Sequence, residues 1–153
     1  MLLEFRTKNY KSFKDELVFS MIPAQKQKGL DYSILKEKIG KTTYKSLSSA
    51  VIYGANASGK TNIIGAMDTF KNIILRGNIN NTQNNSPNTA AKSLELIPNN
   101  ELTSPEPVSF YIKFIEKNML IEYALSIDLG IFLDNEYERK TRVVKYIKLI
   151  REL

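Results

Sequence analysis

The chain has 153 residues, of which 42% are hydrophobic and 25% are charged, and this composition is typical of about one globular domain. It contains neither cysteine nor histidine, which excludes disulfides, thiolate or imidazole metal sites and histidine-based catalysis from these residues. Any metal bound here is therefore a hard cation held by oxygen atoms, such as Mg²⁺.

Charge is unevenly placed along the chain. The net charge is +6, and six lysines lie between Lys26 and Lys45 without a matching acidic run. Such a segment is either a patch for DNA or another polyanion, or a solvated lysine-rich loop, and the missing alternation with aromatic residues favours the loop.

Charge also comes too early at the N-terminus for a secretory signal, and no apolar run approaches the roughly 18 residues of a membrane span. We therefore expect a cytoplasmic protein without membrane contact.

Residues 1–22 are predicted to form a β-hairpin. Apolar and polar residues alternate at first, residues 9–13 break the alternation, and residues 17–21 resume it on one face. The next segment, residues 23–48, shows no sustained period. It is predicted to be a long connection with a helical turn over residues 32–39.

Residues 54–61 carry the most informative motif of the chain. They fit the pattern G-x-x-x-x-G-K-[ST] of a phosphate-binding loop. In such a loop the glycines let backbone N–H groups surround the β-phosphate, Lys60 reaches the β- and γ-phosphate oxygens, and the Thr61 hydroxyl ligates the Mg²⁺ between them. Thr61 is the predicted metal ligand, and the predicted nucleotide-binding residues are Gly54, Ala55, Asn56, Ala57, Ser58, Gly59, Lys60 and Thr61.

The segments on both sides of this motif have the character that a phosphate loop requires. Residues 49–53 are a short apolar, β-branched run, which is typical of a strand buried on both faces. Residues 61–76 are predicted to form a helix that ends at Gly77. Its N-terminus would add unpaired N–H groups and partial positive charge to the phosphate site. The helical spacing is carried by Ile63, Met67, Phe70 and Ile74.

The remaining residues are predicted to be a loop followed by strands. Residues 78–92 are rich in asparagine, which is typical of an exposed loop. Strict alternation then predicts a hairpin over residues 107–128 with a tight turn at 116–119. Residues 131–138 and 143–150 are weaker strand candidates, and the last segment also fits a terminal helix. The predicted fold class is α/β, with antiparallel β-hairpins packed around a central strand, phosphate loop and helix.

Two segments together resemble a known group of ATPases. Residues 9–13, Asn-Tyr-Lys-Ser-Phe, precede a phosphate loop that contains Asn56 and is followed by Asn62. This combination looks like ABC-class ATPases of the SMC, RecF and RecN group. It is most similar to the stand-alone bacterial AAA family ATPases of the RloA and OLD-like kind. The resemblance covers residues 1–76, and the later hairpin is similar to the antiparallel layer of these proteins.

The resemblance implies a P-loop NTPase core, namely the N-terminal lobe of an ABC-like ATPase. Residues 1–153 would then be a single partial ATP-binding domain whose residues 107–153 form an antiparallel β layer, with ATP and Mg²⁺ as ligands. The resemblance adds Asn62, Lys11 and Ser12 to the predicted nucleotide-binding residues. Lys11 also fits a solvated lysine in a hairpin turn. Implied partners are a second copy of the chain or a missing C-terminal ATPase half, and DNA.

The sequence lacks pieces that relatives use for hydrolysis. A Walker B strand needs four apolar residues, an Asp and a catalytic Glu, and the nearest candidate, residues 131–134, has three apolar residues before Asp134 and continues with Asn135. An L-S-G-G signature, a switch histidine and a clear Q-loop glutamine are also missing. We therefore expect the N-terminal part of an ATPase that binds ATP·Mg²⁺ without efficient turnover, and its catalytic residues are unknown.

Two other functions remain open from the sequence. The chain could be a nucleic-acid- or partner-binding module whose phosphate loop does not hydrolyse nucleotide. A small phosphate-loop kinase or GTPase is disfavoured, because the sequence has no convincing Asp for a Mg²⁺ site and no N-K-x-D guanine motif.

Overall fold

A computed structural model describes residues 1–24, 29, 31–76, 96–99 and 106–128, and the backbone of residues 142–150. Within these ranges the chain folds into a mixed α/β structure with antiparallel sheets and a short 3₁₀ turn at Asp31–Ser33. The elements are β1 (Leu2–Lys8), β2 (Leu17–Ser20), β3 (Ile34–Ile39), β4 (Thr42–Leu47), α1 (Lys60–Arg76), β5 (Val108–Glu116), β6 (Met119–Asp128) and β7 (Arg142–Ile150).

Five strands form one antiparallel sheet in the order β2-β1-β5-β6-β7. The predicted N-terminal hairpin is confirmed, with Phe5 opposite Phe19. The predicted later hairpin is confirmed as β5 and β6, and its tight turn places Lys117 and Asn118 at φ of 49° and 58°. Two successive positive φ values are the signature of the turn type that matches the twist of paired strands.

A bulge near the start of β1 divides its apolar side chains between two clusters. Leu2 pairs with Phe114 and Glu4 pairs with Lys113, so β1 carries one extra residue, Leu3. Leu3 is buried in a small cluster with Ile39, Ile115 and Leu120. Phe5, two residues later, faces the main core instead.

The main core lies between α1 and one face of the sheet. Phe70 of α1 is its centre, with its ring stacked 5.5 Å from that of Phe110 and in contact with Phe5 at 6.1 Å and Tyr123 at 5.5 Å. Residues Ala66, Phe70 and Ile73 form the buried stripe of the helix. The predicted helix is therefore confirmed, although Ile74, which the sequence placed on the buried face, is 40% exposed.

The prediction of a long connection over residues 23–48 is wrong. Strands β3 and β4 form a two-stranded hairpin that turns at Gly40 and Lys41, and Gly40 has a φ of 56°. The predicted helical turn over residues 32–39 is also wrong, because only Asp31–Ser33 are 3₁₀-helical and a strand follows. The alternation was hidden by lysines that occupy the exposed face of this hairpin.

The predicted strand over residues 49–53 is not formed. These residues have no regular secondary structure, and Val51 and Tyr53 are 85% and 91% exposed. A strand exists only by pairing with a neighbour, and no segment within the described ranges pairs with this one.

Other predictions fall partly outside the described residues. Of the two alternatives for residues 143–150, the strand is confirmed as β7, which pairs with β6. Gly77, the asparagine-rich segment at residues 78–92 and the strand candidate at residues 131–138 lie outside the described ranges. In the described part of the chain, no helix combines the length and the apolar character needed to cross a membrane.

Candidate phosphate-binding site

The phosphate loop (residues 54–61) turns sharply before it enters α1. Ala57 and Gly59 have φ of 62° and 83°, in the left-handed region. The backbone N–H of Ser58 donates to the carbonyl of Ala55 at 3.3 Å, and the N–H of Asn62 donates to the carbonyl of Gly59 at 2.9 Å. Because α1 begins at Lys60, the N–H groups of its first turn and the positive end of its dipole lie at the loop.

Lys60 folds back over the loop. Its Nζ donates to the carbonyl oxygens of Gly54 at 2.9 Å and Ala55 at 2.5 Å. The ammonium group is thus held close to the first residues of the loop, where it can exchange carbonyl oxygens for phosphate oxygens. Residues 57–62 line an open cavity of about 250 Å³ beside it.

The residues present fit a nucleoside triphosphate with Mg²⁺. The site offers an ammonium group at Lys60 and an exposed hydroxyl at Thr61, in the first turn of the helix. Hydroxyl and phosphate oxygens are ligands that Mg²⁺ accepts in its octahedral shell. The positive φ of Gly59 supports the same fit, because successive backbone N–H groups in turns of this kind form anion-binding concavities.

The turn between β1 and β2 packs against the phosphate loop. Asn62 Nδ2 donates to Ser12 Oγ at 2.8 Å. A Cβ added to Gly59 would lie 2.8 Å from Ser12 Oγ and 3.3 Å from the Phe13 ring. Gly59 is therefore required both by its backbone conformation and by the side chains packed against it.

Buried hydrogen bonds hold the same turn from the other side. Asn9 is fully buried, donates from Nδ2 to the Glu106 carbonyl at 2.6 Å and accepts the Asn99 N–H at 2.8 Å. Lys11 donates its N–H to the Ile97 carbonyl at 2.8 Å, and its own carbonyl accepts from Asn99 Nδ2 at 2.7 Å. The turn is thus tied to residues 96–99 through backbone and amide groups.

Tyr10 links the turn to the helix. Its side chain is fully buried, and its hydroxyl lies 3.1 Å from Thr69 Oγ1 of α1. Its ring meets that of Phe110 edge-on at 5.7 Å. The turn, the sheet and the helix are therefore one packed unit, and the phosphate loop leads directly into that helix.

The structure brings most of the predicted site residues together. Residues 54–62 form the loop and the first turn of α1, and Ser12 contacts both Gly59 and Asn62. Lys11 is adjacent to Ser12 in the chain, but its Nζ lies 5.5 Å from the centre of the Tyr10 ring. The candidate metal ligand Asp134 lies outside the described residues.

Sequence reasoning missed the residues that support the site. Asn9 and Asn99 are 90 residues apart, and Tyr10 and Thr69 are 59 residues apart. No local pattern pairs residues at such distances, although a buried Asn at the end of a strand signals that its amide has partners.

Comparison with protein families identifies the domain type. Residues 49–152 match the family described as "AAA domain, putative AbiEii toxin, Type IV TA system". The match spans 104 of the 153 residues and includes the phosphate loop and α1. The chain belongs to this AAA-domain family. The AAA domain is a nucleotide-binding, ATPase-type domain, and here residues 1–48, with the first two hairpins, precede the matched region.

Comparisons with curated proteins and with solved structures give no match. Membership of the family therefore rests on residues 49–152, and the phosphate loop lies near the start of that range.

Proposed function

We propose that this AAA domain binds ATP with Mg²⁺ in its phosphate loop and is the nucleotide-binding part of an ABC- or SMC-like ATPase of the RloA and OLD-like kind. One observation carries the proposal. A glycine at positive φ, a lysine folded over the loop carbonyls and a helix N-terminus meet in residues 54–61.

Each residue of the loop has a distinct role in this proposal. Lys60 exchanges its hydrogen bonds to Gly54 and Ala55 for charge-assisted bonds to phosphate oxygens. Thr61 supplies a hydroxyl oxygen for the metal. When bound, Mg²⁺ neutralises charge between the β- and γ-phosphates. Asn62 donates a hydrogen bond to Ser12 and so holds the first turn of α1 against the β1–β2 turn.

Hydrolysis needs carboxylates that the sequence does not supply in a Walker B pattern. We propose that this chain alone holds ATP·Mg²⁺ without efficient turnover, because ground-state phosphate contacts do not orient the attacking water. A complementary ATPase half would supply the missing groups, as the resemblance to dimeric ATPases implies; a second copy of this sequence lacks the same motifs. A multiple-turnover ATPase rate that Lys60→Ala abolishes would contradict this part of the proposal.

The direct test replaces Lys60 by alanine. A charged hydrogen bond contributes about 1.5–3 kcal/mol, so Lys60→Ala should weaken ATP·Mg²⁺ binding by roughly 10- to 150-fold. The matched control is Lys71→Ala, which removes an exposed lysine from the same helix. Isothermal titration should show the loss for Lys60→Ala and unchanged affinity for Lys71→Ala. Equal affinity of wild type and Lys60→Ala would refute binding at this loop.

A further inference from the structure

Lysines are the charged residues on one face of the β3–β4 hairpin, which also carries Ile34, Thr43 and Leu47. Lys36 lies directly opposite Lys45, and Lys38 lies opposite Thr43. Cross-strand partners and alternate residues of a strand point to the same side, so Lys36, Lys38 and Lys45 share one face. All three are exposed, and we call them the lysine face.

The other face of the hairpin is the one that packs on the protein. Ile39 is buried in the small cluster with Leu3, and Tyr44 packs against it. Ser46 is buried and donates its hydroxyl to the carbonyl of Leu2. The lysine face therefore points away from the sheet.

Charges on the main sheet are more fully paired than those of the lysine face. Among the described residues, the ion pairs of the sheet are Arg6–Glu4 at 2.6 Å, Lys8–Glu106 at 2.8 Å, Lys113–Glu122 at 3.0 Å and a longer one, Arg6–Glu16, at 3.5 Å. On the lysine face, Lys36 has a long contact of 3.6 Å to Asp31, whose side chain is 82% exposed. Within the described residues, Lys38 and Lys45 form no ion pair. Lysines directly opposite each other repel, and a bound polyanion would relieve that repulsion.

We propose that the lysine face binds the phosphate backbone of duplex DNA. Lysine ammonium groups act as point charges that neutralise phosphates independently of base sequence. A two-stranded ribbon is also narrow enough to lie along a DNA groove. A membrane surface fits less well, because the apolar residues on the same face, Ile34 and Leu47, are half-buried and offer no exposed anchor.

This surface is separate from the phosphate loop. Ser46 contacts Leu2 at one end of β1, and the turn that touches Gly59 follows Lys8 at the other end. Six residue steps of a strand span about 20 Å. DNA binding and nucleotide binding can therefore be tested independently in the full chain.

The test compares two triple variants that remove the same charge. Lys36→Gln, Lys38→Gln and Lys45→Gln together remove the lysine face, and the control removes three exposed lysines elsewhere, Lys14, Lys71 and Lys117. Binding of a short labelled duplex is measured by fluorescence anisotropy without nucleotide, as a function of salt concentration. The slope of log K against log salt is about −0.9 per neutralised phosphate, so loss of three contacts should reduce its magnitude by about 2.7.

Between about 50 and 200 mM salt, that change in slope means that wild type loses roughly 40-fold more affinity than the lysine-face variant. The control triple should keep a slope close to that of wild type. A small rise in Tm is expected for the lysine-face variant, because the Lys36–Lys45 repulsion is removed, and this verifies that the variant folds.

The proposal is overturned if wild type fails to bind the duplex at about 50 mM salt. Equal loss in both triples, or equally effective competition by poly-glutamate, would also overturn it. ATP titration of the lysine-face variant should match wild type, so failure here leaves the nucleotide proposal standing.

Discussion

Replacing Gly59 with alanine tests how the β1–β2 turn shapes the phosphate loop. At the Gly59 φ of 83°, alanine costs about 1–2 kcal/mol of backbone strain. About 0.4–1 kcal/mol of this is offset, because alanine also restricts the unfolded chain. Gly29 is a matched control, since its φ is 85° and an added Cβ meets nothing within 4 Å. The two variants therefore carry a similar backbone cost.

Only Gly59→Ala adds a steric cost. Its Cβ would lie 2.8 Å from Ser12 Oγ and 3.3 Å from the Phe13 ring. Ser12 can rotate away only by giving up its hydrogen bond from Asn62, at about 0.5–1.5 kcal/mol, and Phe13 must also shift. Urea unfolding should therefore show Gly59→Ala less stable than Gly29→Ala by about 1–2 kcal/mol, since displaced packing adds to the lost bond.

Nucleotide affinity should separate the two variants further. We expect Gly59→Ala to weaken ATP·Mg²⁺ binding at least about tenfold, because displacement of phosphate-binding groups by a fraction of an ångström is costly, while Gly29→Ala keeps the wild-type affinity. Adding Ser12→Ala to Gly59→Ala should recover part of the stability loss. If Gly59→Ala and Gly29→Ala lose equal free energy and Ser12→Ala recovers none of it, the turn does not press on the loop.

Two further predictions concern the support of the site and the alkaline limit of the fold. Asn9→Ala leaves the Glu106 carbonyl and the Asn99 N–H without their buried partner. Urea unfolding should therefore show a loss of about 1–3 kcal/mol in the free energy of unfolding. A loss below about 0.5 kcal/mol would show that other contacts hold the β1–β2 turn. Burial raises the pKa of Tyr123. Burial lowers the pKa of Lys113, but the hydrogen bond and the attraction of Glu122 outweigh it, so the pKa of Lys113 is also raised. The ordinary pKa is 10.0 for Tyr123 and 10.5 for Lys113. A group whose pKa is raised by folding contributes its full share to the free energy of unfolding below the ordinary pKa. That contribution is lost as the pH rises through the folded pKa. Tyr123→Phe should therefore flatten the fall of Tm above pH 10, and an unchanged slope would contradict the assignment.

The sequence predicted those parts of the fold that short-range patterns determine. The phosphate loop and α1 were predicted because a fixed motif precedes a helical period. The two sheet hairpins were predicted because one face of each is buried, which imposes a period of two. The β3–β4 hairpin was missed, since its exposed face carries lysines and only Ile39 and Ser46 are buried along it.

The failures concern features that depend on distant residues. A strand was predicted at residues 49–53 from its composition, but strand formation also requires a neighbouring edge. The support of the phosphate loop by Ser12, and of the turn by Asn9 and Tyr10, depends on hydrogen bonds across 50 to 97 residues. Side chains at such separations are brought together only by the complete fold.

The most direct test of nucleotide binding at this loop is an amide NMR titration of the 17.5 kDa chain with ATP and Mg²⁺. The proposal predicts saturable shifts of the backbone N–H signals of residues 54–62 and of Ser12, with little change in the β5–β6 turn at Lys117. In Lys60→Ala the same shifts should need roughly 10- to 150-fold more nucleotide. Shifts that bypass residues 54–62, or that are identical in Lys60→Ala, would contradict nucleotide binding at the phosphate loop.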